Sequence, residues 1–171
     1  MKHDVFWAMI EAARKAGKND QEAMCEALAE ALGELEAAEI LGFDTVLREL
    51  RNAAYRWDLW GAAYLMAGGC SDDGFEYFRN WLIATGKKTY EAALADPDSL
   101  ASVPMGLSDD GICEFESLWY VAPDVYEQVA GKAIPRNVKQ PKEPAGAEFD
   151  FDDEGEMRRR YPKLARKFLA E

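Results

Sequence analysis

The sequence predicts an all-α fold: a single-domain multi-helix bundle with a long central helix and an extended, partly irregular C-terminal strap. Three observations carry that expectation. Apolar residues recur at steps of three and four, the spacing that gathers them on one face of a helix. β-Branched residues are sparse and never alternate over four or more positions, so strand signals are nearly absent. Capping residues and glycines bracket the apolar runs at helix-length intervals. A chain of 171 residues is long enough for one real core and too short for two ordinary domains.

Asp4 caps the first expected helix, which runs to about Lys15 with Phe6, Trp7, Ile10 and Ala13 inward and Gly17 closing it. Asn19-Asp20-Gln21-Glu22 is a capping-box-like start for the second, with Met24, Leu28 and Leu32 inward and Gly33 at its end. From Glu36, the positions Ile40, Phe43, Leu47, Leu50, Ala54 and Trp57 hold a helical face whose phase continues through Gly61 and Tyr64. No proline or glycine pair interrupts it before Gly68-Gly69. The spacing therefore predicts one long helix over about 36–67, with any bend near Tyr55.

Gly68 and Gly69 supply a C-cap and turn. Ser71 or Asp73 caps the next helix, which runs to about Thr85 and is apolar nearly all round: Phe75, Tyr77, Phe78, Trp81, Leu82 and Ile83. A helix with so narrow a polar strip (Glu76, Arg79, Asn80) belongs at the centre of the bundle. Lys87 to Ala95 gives a short helix ended by Asp96-Pro97, and Asp98 to Gly111 reads as a loop. Glu114 to Gly131 is helical in pattern, and Pro123 divides or kinks it.

The bundle thus spans residues 1–132, and 133–171 form an extended strap and short terminal helix packed on or trailing from it. Pro141, Pro144 and Gly146 lie in a stretch with little to bury. Asp150, Asp152, Asp153, Glu154 and Glu156 then precede Arg158, Arg159 and Arg160, an order that complements the dipole of one short helix. Tyr161-Pro162 ends it, and Leu164, Phe168 and Leu169 dock a last turn.

The net charge of -12 is unevenly placed. Nine acids from Asp20 to Glu49 are offset only by Arg48, and Glu91 to Glu127 holds no Lys or Arg at all. Such a surface repels phosphate, so direct nucleic-acid binding is not expected, and it suits a basic protein partner. No apolar run of about 18 residues is present to span a membrane. The opening Met1-Lys2-His3-Asp4-Val5-Phe6-Trp7 lacks the features of a signal peptide, so the expected location is cytoplasmic. Cys25, Cys70 and Cys113 form no CxxC pair and His3 is the only histidine. A Cys/His zinc site, a histidine base and a cofactor are accordingly not expected, and the thiols read as small core residues.

The Phe6-Trp7 start, the segment from Tyr55 to Leu65, the Gly68-Gly69-Cys70-Ser71-Asp72-Asp73-Gly74-Phe75 turn and the Phe78-Arg79-Asn80-Trp81-Leu82-Ile83 helix together resemble an uncharacterised bacterial group, the domain of unknown function 4240 family. The resemblance covers roughly residues 4–130. It implies a mostly helical bacterial domain, found alone or within larger regulatory-looking proteins, and it implies no catalytic residues.

The candidate site residues are ionisable groups pressed among aromatics. Asp58 lies beside Tyr55, Trp57 and Trp60, where a carboxylate needs a partner, and Arg51, Arg56 and Arg79 are available. It is either half of a buried ion pair or a carboxylate in a polar pocket. Asp72 and Asp73 either cap a helix or converge with Asp58 and Glu76 on a divalent cation. Their spacing matches no established cation loop, and no metal is expected. Trp57, Trp60, Tyr64, Tyr77 and Trp81 form core or a stacking surface. Arg79, one turn from Phe75, Phe78 and Leu82, is partly buried and pairs with Asp or captures an anion.

No nucleophile elbow, P-loop, dinucleotide fingerprint or zinc-protease helix motif occurs, and no catalytic residue is assigned. The leading expectation is a non-enzymatic acidic interaction or regulatory protein, an antitoxin- or immunity-like binder of a basic partner. The alternative is an enzyme or small-ligand-binding protein. Its site would sit at the start of the Gly74 to Ile83 helix, with Asp58, Asp72, Asp73 and Arg79 acting and Trp60 as a wall.

Overall fold

Helical spacing becomes helix through most of the chain. The computed structural model describes residues 1–18, 20–105 and 112–169. Among them lie α1 (His3–Gly17), α2 (Gln21–Gly33), α3 (Ala37–Ala53), α4 (Trp57–Ala67), α5 (Asp72–Ala84) and α6 (Lys87–Ala95). A 3-10 helix (Pro97–Ser102), α7 (Leu118–Ala130), α8 (Glu154–Arg160) and α9 (Pro162–Phe168) follow. The all-α class holds, and no strand occurs among the described residues. None of these helices is long and apolar enough to cross a membrane. The expected Asn19 start of α2 lies outside the described residues, as do Gly106, Gly111, Asp109 and Asp110 of the expected loop.

Local chemistry accounts for most boundaries. The Asp20 carboxylate accepts from the Ala23 N–H at 2.7 Å and starts α2. Glu36 and Glu39 form a reciprocal capping box on α3. Ser71 caps α5, its Oγ accepting from the Gly74 N–H at 3.1 Å. Gly68, at φ +67°, ends α4 in the left-handed conformation that a residue without Cβ adopts freely. Asp4 does not cap α1; it sits in the first turn and reaches Lys87 on α6. The expected loop after Asp96 begins as the 3-10 helix, and α7 starts at Leu118 and runs unbroken past Pro123.

The long central helix is a correction. The apolar phase continues, but the backbone does not: α3 ends at Ala53, Arg56 is extended at φ −141° and ψ 142°, and α4 begins at Trp57. The cause is a tertiary hydrogen-bond pair. The Ala145 N–H donates to the Tyr55 carbonyl at 2.8 Å, and the Trp57 N–H donates to the Ala145 carbonyl at 3.0 Å. The irregular segment between α7 and α8, the strap, thereby takes backbone groups that a continuous helix would have paired internally.

The core is built around α5, which contacts α1, α3, α4 and α6. Phe75, Phe78, Trp81 and Leu82 meet Phe6 and Ile10 of α1, Phe43 and Leu47 of α3, and Leu59 and Ala62 of α4 in one buried cluster. Each fully buried side chain of this size contributes about 1.5–3 kcal/mol. Asn80 extends α5 sideways: its Nδ2 donates to the Phe115 carbonyl at 3.0 Å, while the Phe115 N–H donates to the Tyr77 carbonyl. α9 packs on α4 and the 3-10 helix, and Gly61 makes room for the chain end. A Cβ at Gly61 would come within 2.6 Å of the Tyr161 hydroxyl and 2.7 Å of Phe149.

Candidate functional site

The break between α3 and α4 creates a cavity. Freed from the helical path, Tyr55 lies over Arg79 of α5, with the guanidinium carbon 4.6 Å from the ring centre. The strap crosses the same point, where the Asn52 Nδ2 donates to the Lys139 carbonyl at 3.0 Å, and Gln140 and Pro141 form an outer wall. The first turns of α5 supply Asp72, Asp73 and Glu76. The cavity opens to solvent and has a volume of about 180 Å³.

Because Ser71 does the capping, Asp72 and Asp73 are spare. Both are exposed, and neither carboxylate accepts a hydrogen bond or forms an ion pair among the described residues. Glu76 is engaged, accepting from the Arg51 Nη2 at 2.8 Å.

Arg79 is 9% exposed and, among the described residues, has no carboxylate within ion-pair distance, although the Glu76 charge one turn back favours its protonated form. Its Nε donates to the Phe75 carbonyl at 3.2 Å and its Nη1 to the Arg51 carbonyl at 3.1 Å. Nη2 makes no hydrogen bond to a described residue, yet it is not sealed off from the cavity that Arg79 lines. Burial, with the nearby Arg51 charge, pushes the guanidinium down to about 10, so it stays protonated near neutrality.

The fold thus brings Asp72, Asp73 and Arg79 together around one cavity and leaves Asp58 and Trp60 out of it. Asp58 pairs with Arg56, whose Nε donates to Oδ1 at 2.9 Å and whose Nη2 donates to Oδ2. A third donor, Nη1, reaches the Leu94 carbonyl at 2.8 Å and ties the start of α4 to the end of α6. The two side chains are 31% and 34% exposed, so solvent screens the pair. A double-mutant cycle on Arg56→Ala and Asp58→Ala is expected to give a coupling of about 1 kcal/mol or less in urea unfolding. Trp60 is core rather than wall. It stacks between Trp57 (5.3 Å, 8°) and Phe75 (4.9 Å, 11°), and its Nε1 donates to the Cys70 carbonyl at 3.0 Å.

The sequence reading missed a charged network behind the cavity. Arg48 donates to Asp44 at 2.6 Å inside the core, where the residues are 8% and 1% exposed. The guanidinium carbons of Arg48 and Arg51 lie 4.2 and 3.6 Å from the Trp119 ring centre. The available signal was the i,i+4 spacing of Asp44 and Arg48 on a helix whose neighbours are apolar.

A family model described as a protein of unknown function (DUF4240) matches residues 1–128. The chain belongs to the DUF4240 family. No curated protein and no solved structure matches it. In this DUF4240 chain the family match takes in Asp72, Asp73, Glu76 and Arg79, whereas Gln140 and Pro141 come from beyond it.

The DUF4240 chain has two further features with chemical content. Its thiols resist ionisation: burial, with Glu114 adding to it at Cys70, pushes Cys70 and Cys113 up to about 12. Among the described residues, no group of three or more His, Cys, Asp or Glu side chains converges as a metal site would require.

The second feature is a row of glutamates. Glu22, Glu26 and Glu30 follow one another at i,i+4 along the exposed side of α2 and Glu34 continues the spacing at its C-cap, with no ion pair to any described residue. Glu30 and Glu34 border a groove of about 990 Å³ between α1 and α2, floored by Ala8, Ala12, Ala27 and Ala31.

Proposed function

We propose that this DUF4240 protein is a non-enzymatic interaction protein that receives a basic helical segment of a partner in the groove between α1 and α2. The observation that carries this reading is the unpaired glutamate row. Like charges at i,i+4 repel one another, at about 0.2–0.5 kcal/mol per pair. Glu30 and Glu34 also stand at the carbonyl end of α2, where the helix dipole disfavours a carboxylate and no basic residue offsets it. The row therefore costs stability while forming no ion pair or side-chain hydrogen bond with any described residue, which fits residues kept for binding. The alanine floor adds shape, since short side chains admit a partner helix close to the backbone. The chain's acidic balance would steer a basic partner from a distance.

The test uses a synthetic amphipathic helix with an alanine-leucine face and a lysine face, titrated calorimetrically into the full chain. Binding is expected at low salt and should weaken several-fold from about 0.05 M to about 0.3 M salt. Replacing Glu22, Glu26, Glu30 and Glu34 together by glutamine should abolish binding and raise stability by roughly 1 kcal/mol, because three repulsive pairs disappear. A peptide that binds the quadruple variant as tightly as the parent would sink the proposal.

A further inference from the structure

A guanidinium taken out of water without a counter-charge is a costly arrangement. In Arg79 two backbone carbonyls and the faces of Tyr55 and Phe75 offset part of that cost. Glu76 balances the charge only in part, because its carboxylate is hydrogen-bonded to Arg51 and lies beyond ion-pair distance of Arg79. What is left over is Nη2, donating to no described residue, at a cavity. A planar carboxylate is the group best shaped to accept from it.

The opposite sign is left over at the same cavity. Asp72 and Asp73 are released from capping by Ser71 and answered by no described cation. A simple anion entering towards Arg79 would meet these two carboxylates, and a simple cation approaching them would meet Arg79. A molecule carrying both signs satisfies both. The volume of about 180 Å³ suits a small molecule. A cavity of about 150 Å³ holds a benzene molecule, so this one takes about six to nine non-hydrogen atoms. Tyr55 and Pro141 line it with apolar surface suited to a short aliphatic stem.

We propose that the cavity between α3, α5 and the strap binds a small free amino acid, its carboxylate on Arg79 and its ammonium on Asp72 and Asp73. The site is separate from the groove between α1 and α2, and its occupancy does not depend on a protein partner.

The experiment screens the twenty free L-amino acids against the full chain by thermal shift. The strongest is then titrated by calorimetry beside two truncated forms of itself, the amine without the carboxylate and the acid without the amine. At least one amino acid should bind, and each truncated form should bind at least about tenfold more weakly, the loss of one charge-assisted contact. Asp72→Asn combined with Asp73→Asn should weaken the amino acid by about tenfold or more. These positions are exposed, so the melting temperature of the free protein should fall by no more than about 4 °C. Arg79→Lys should weaken binding as well, and if that variant fails to fold, the two Asp→Asn changes carry the test alone. The proposal is overturned if none of the twenty binds. It is equally overturned if either truncated form binds as tightly as the intact amino acid, or if the Asp→Asn variant binds it unchanged.

Discussion

Asp44→Ala is expected to destabilise the protein by about 3–5 kcal/mol, a fall in melting temperature of about 10 °C or more. Asp44 is 1% exposed and is, among the described residues, the only carboxylate paired with Arg48, itself 8% exposed. Removing it leaves a guanidinium in the core with the Trp119 ring for company. The pair itself is not a strong stabiliser, because both ions were desolvated to form it and the Asp44 Oδ1 is buried without a hydrogen bond. That asymmetry gives the prediction a second arm. The double change Asp44→Leu with Arg48→Met should recover most of the loss, since an apolar pair of similar volume has no desolvation cost and the thioether keeps contact with Trp119. Urea unfolding of the two single variants and the double variant measures both arms. If the double variant is as unstable as Asp44→Ala, the pair contributes more than charge balance.

Asp98→Ala is expected to cost about 2–4 kcal/mol and to loosen the C-terminal end selectively. The Asp98 carboxylate, on the 3-10 helix and 3% exposed, caps a helix other than its own. It accepts from the Lys163 N–H at 3.0 Å and from the Leu164 N–H at 2.9 Å, the first free donors of α9 after Pro162. Alanine leaves these donors without an acceptor in a buried contact. Hydrogen exchange should therefore accelerate in α8 and α9, while amides of α1, α2 and α3 keep their protection at the same denaturant concentration. Asp98→Asn, which retains one acceptor oxygen, should lose about half as much. Uniform acceleration across all helices would show that α9 opens only with the whole domain.

These two carboxylates show where sequence reading succeeds and where it stops. Asp20, Glu36 and Ser71 cap the helices that immediately follow them, and a cap of that kind is legible because donor and acceptor lie within one turn. Asp98 reads the same way on paper, as a residue opening a loop. Its true partners lie some sixty residues on, a separation that local spacing cannot encode. Asp44 lay hidden among the acids of a charged stretch, since burial depends on which neighbours cover that side of α3. Asp58 was singled out because aromatics flank it in sequence, yet Trp57 and Trp60 stack on each other and it stays a third exposed beside Arg56.

The sequence by itself determined the all-α class, the helices and their inward faces, because apolar period and capping act over one or two turns. It also placed Asp72, Asp73 and Arg79 near one another, since a single helix start carries all three. Only the tertiary structure decided that the expected long helix parts at Tyr55. That break follows from Ala145, which brings a competing donor and acceptor from far along the chain. With it came the cavity, which exists because Tyr55 and the strap meet Arg79 there. Local order lies within the reach of a hydrogen bond along the helix, and the site depends on which distant segment arrives to compete for that bond.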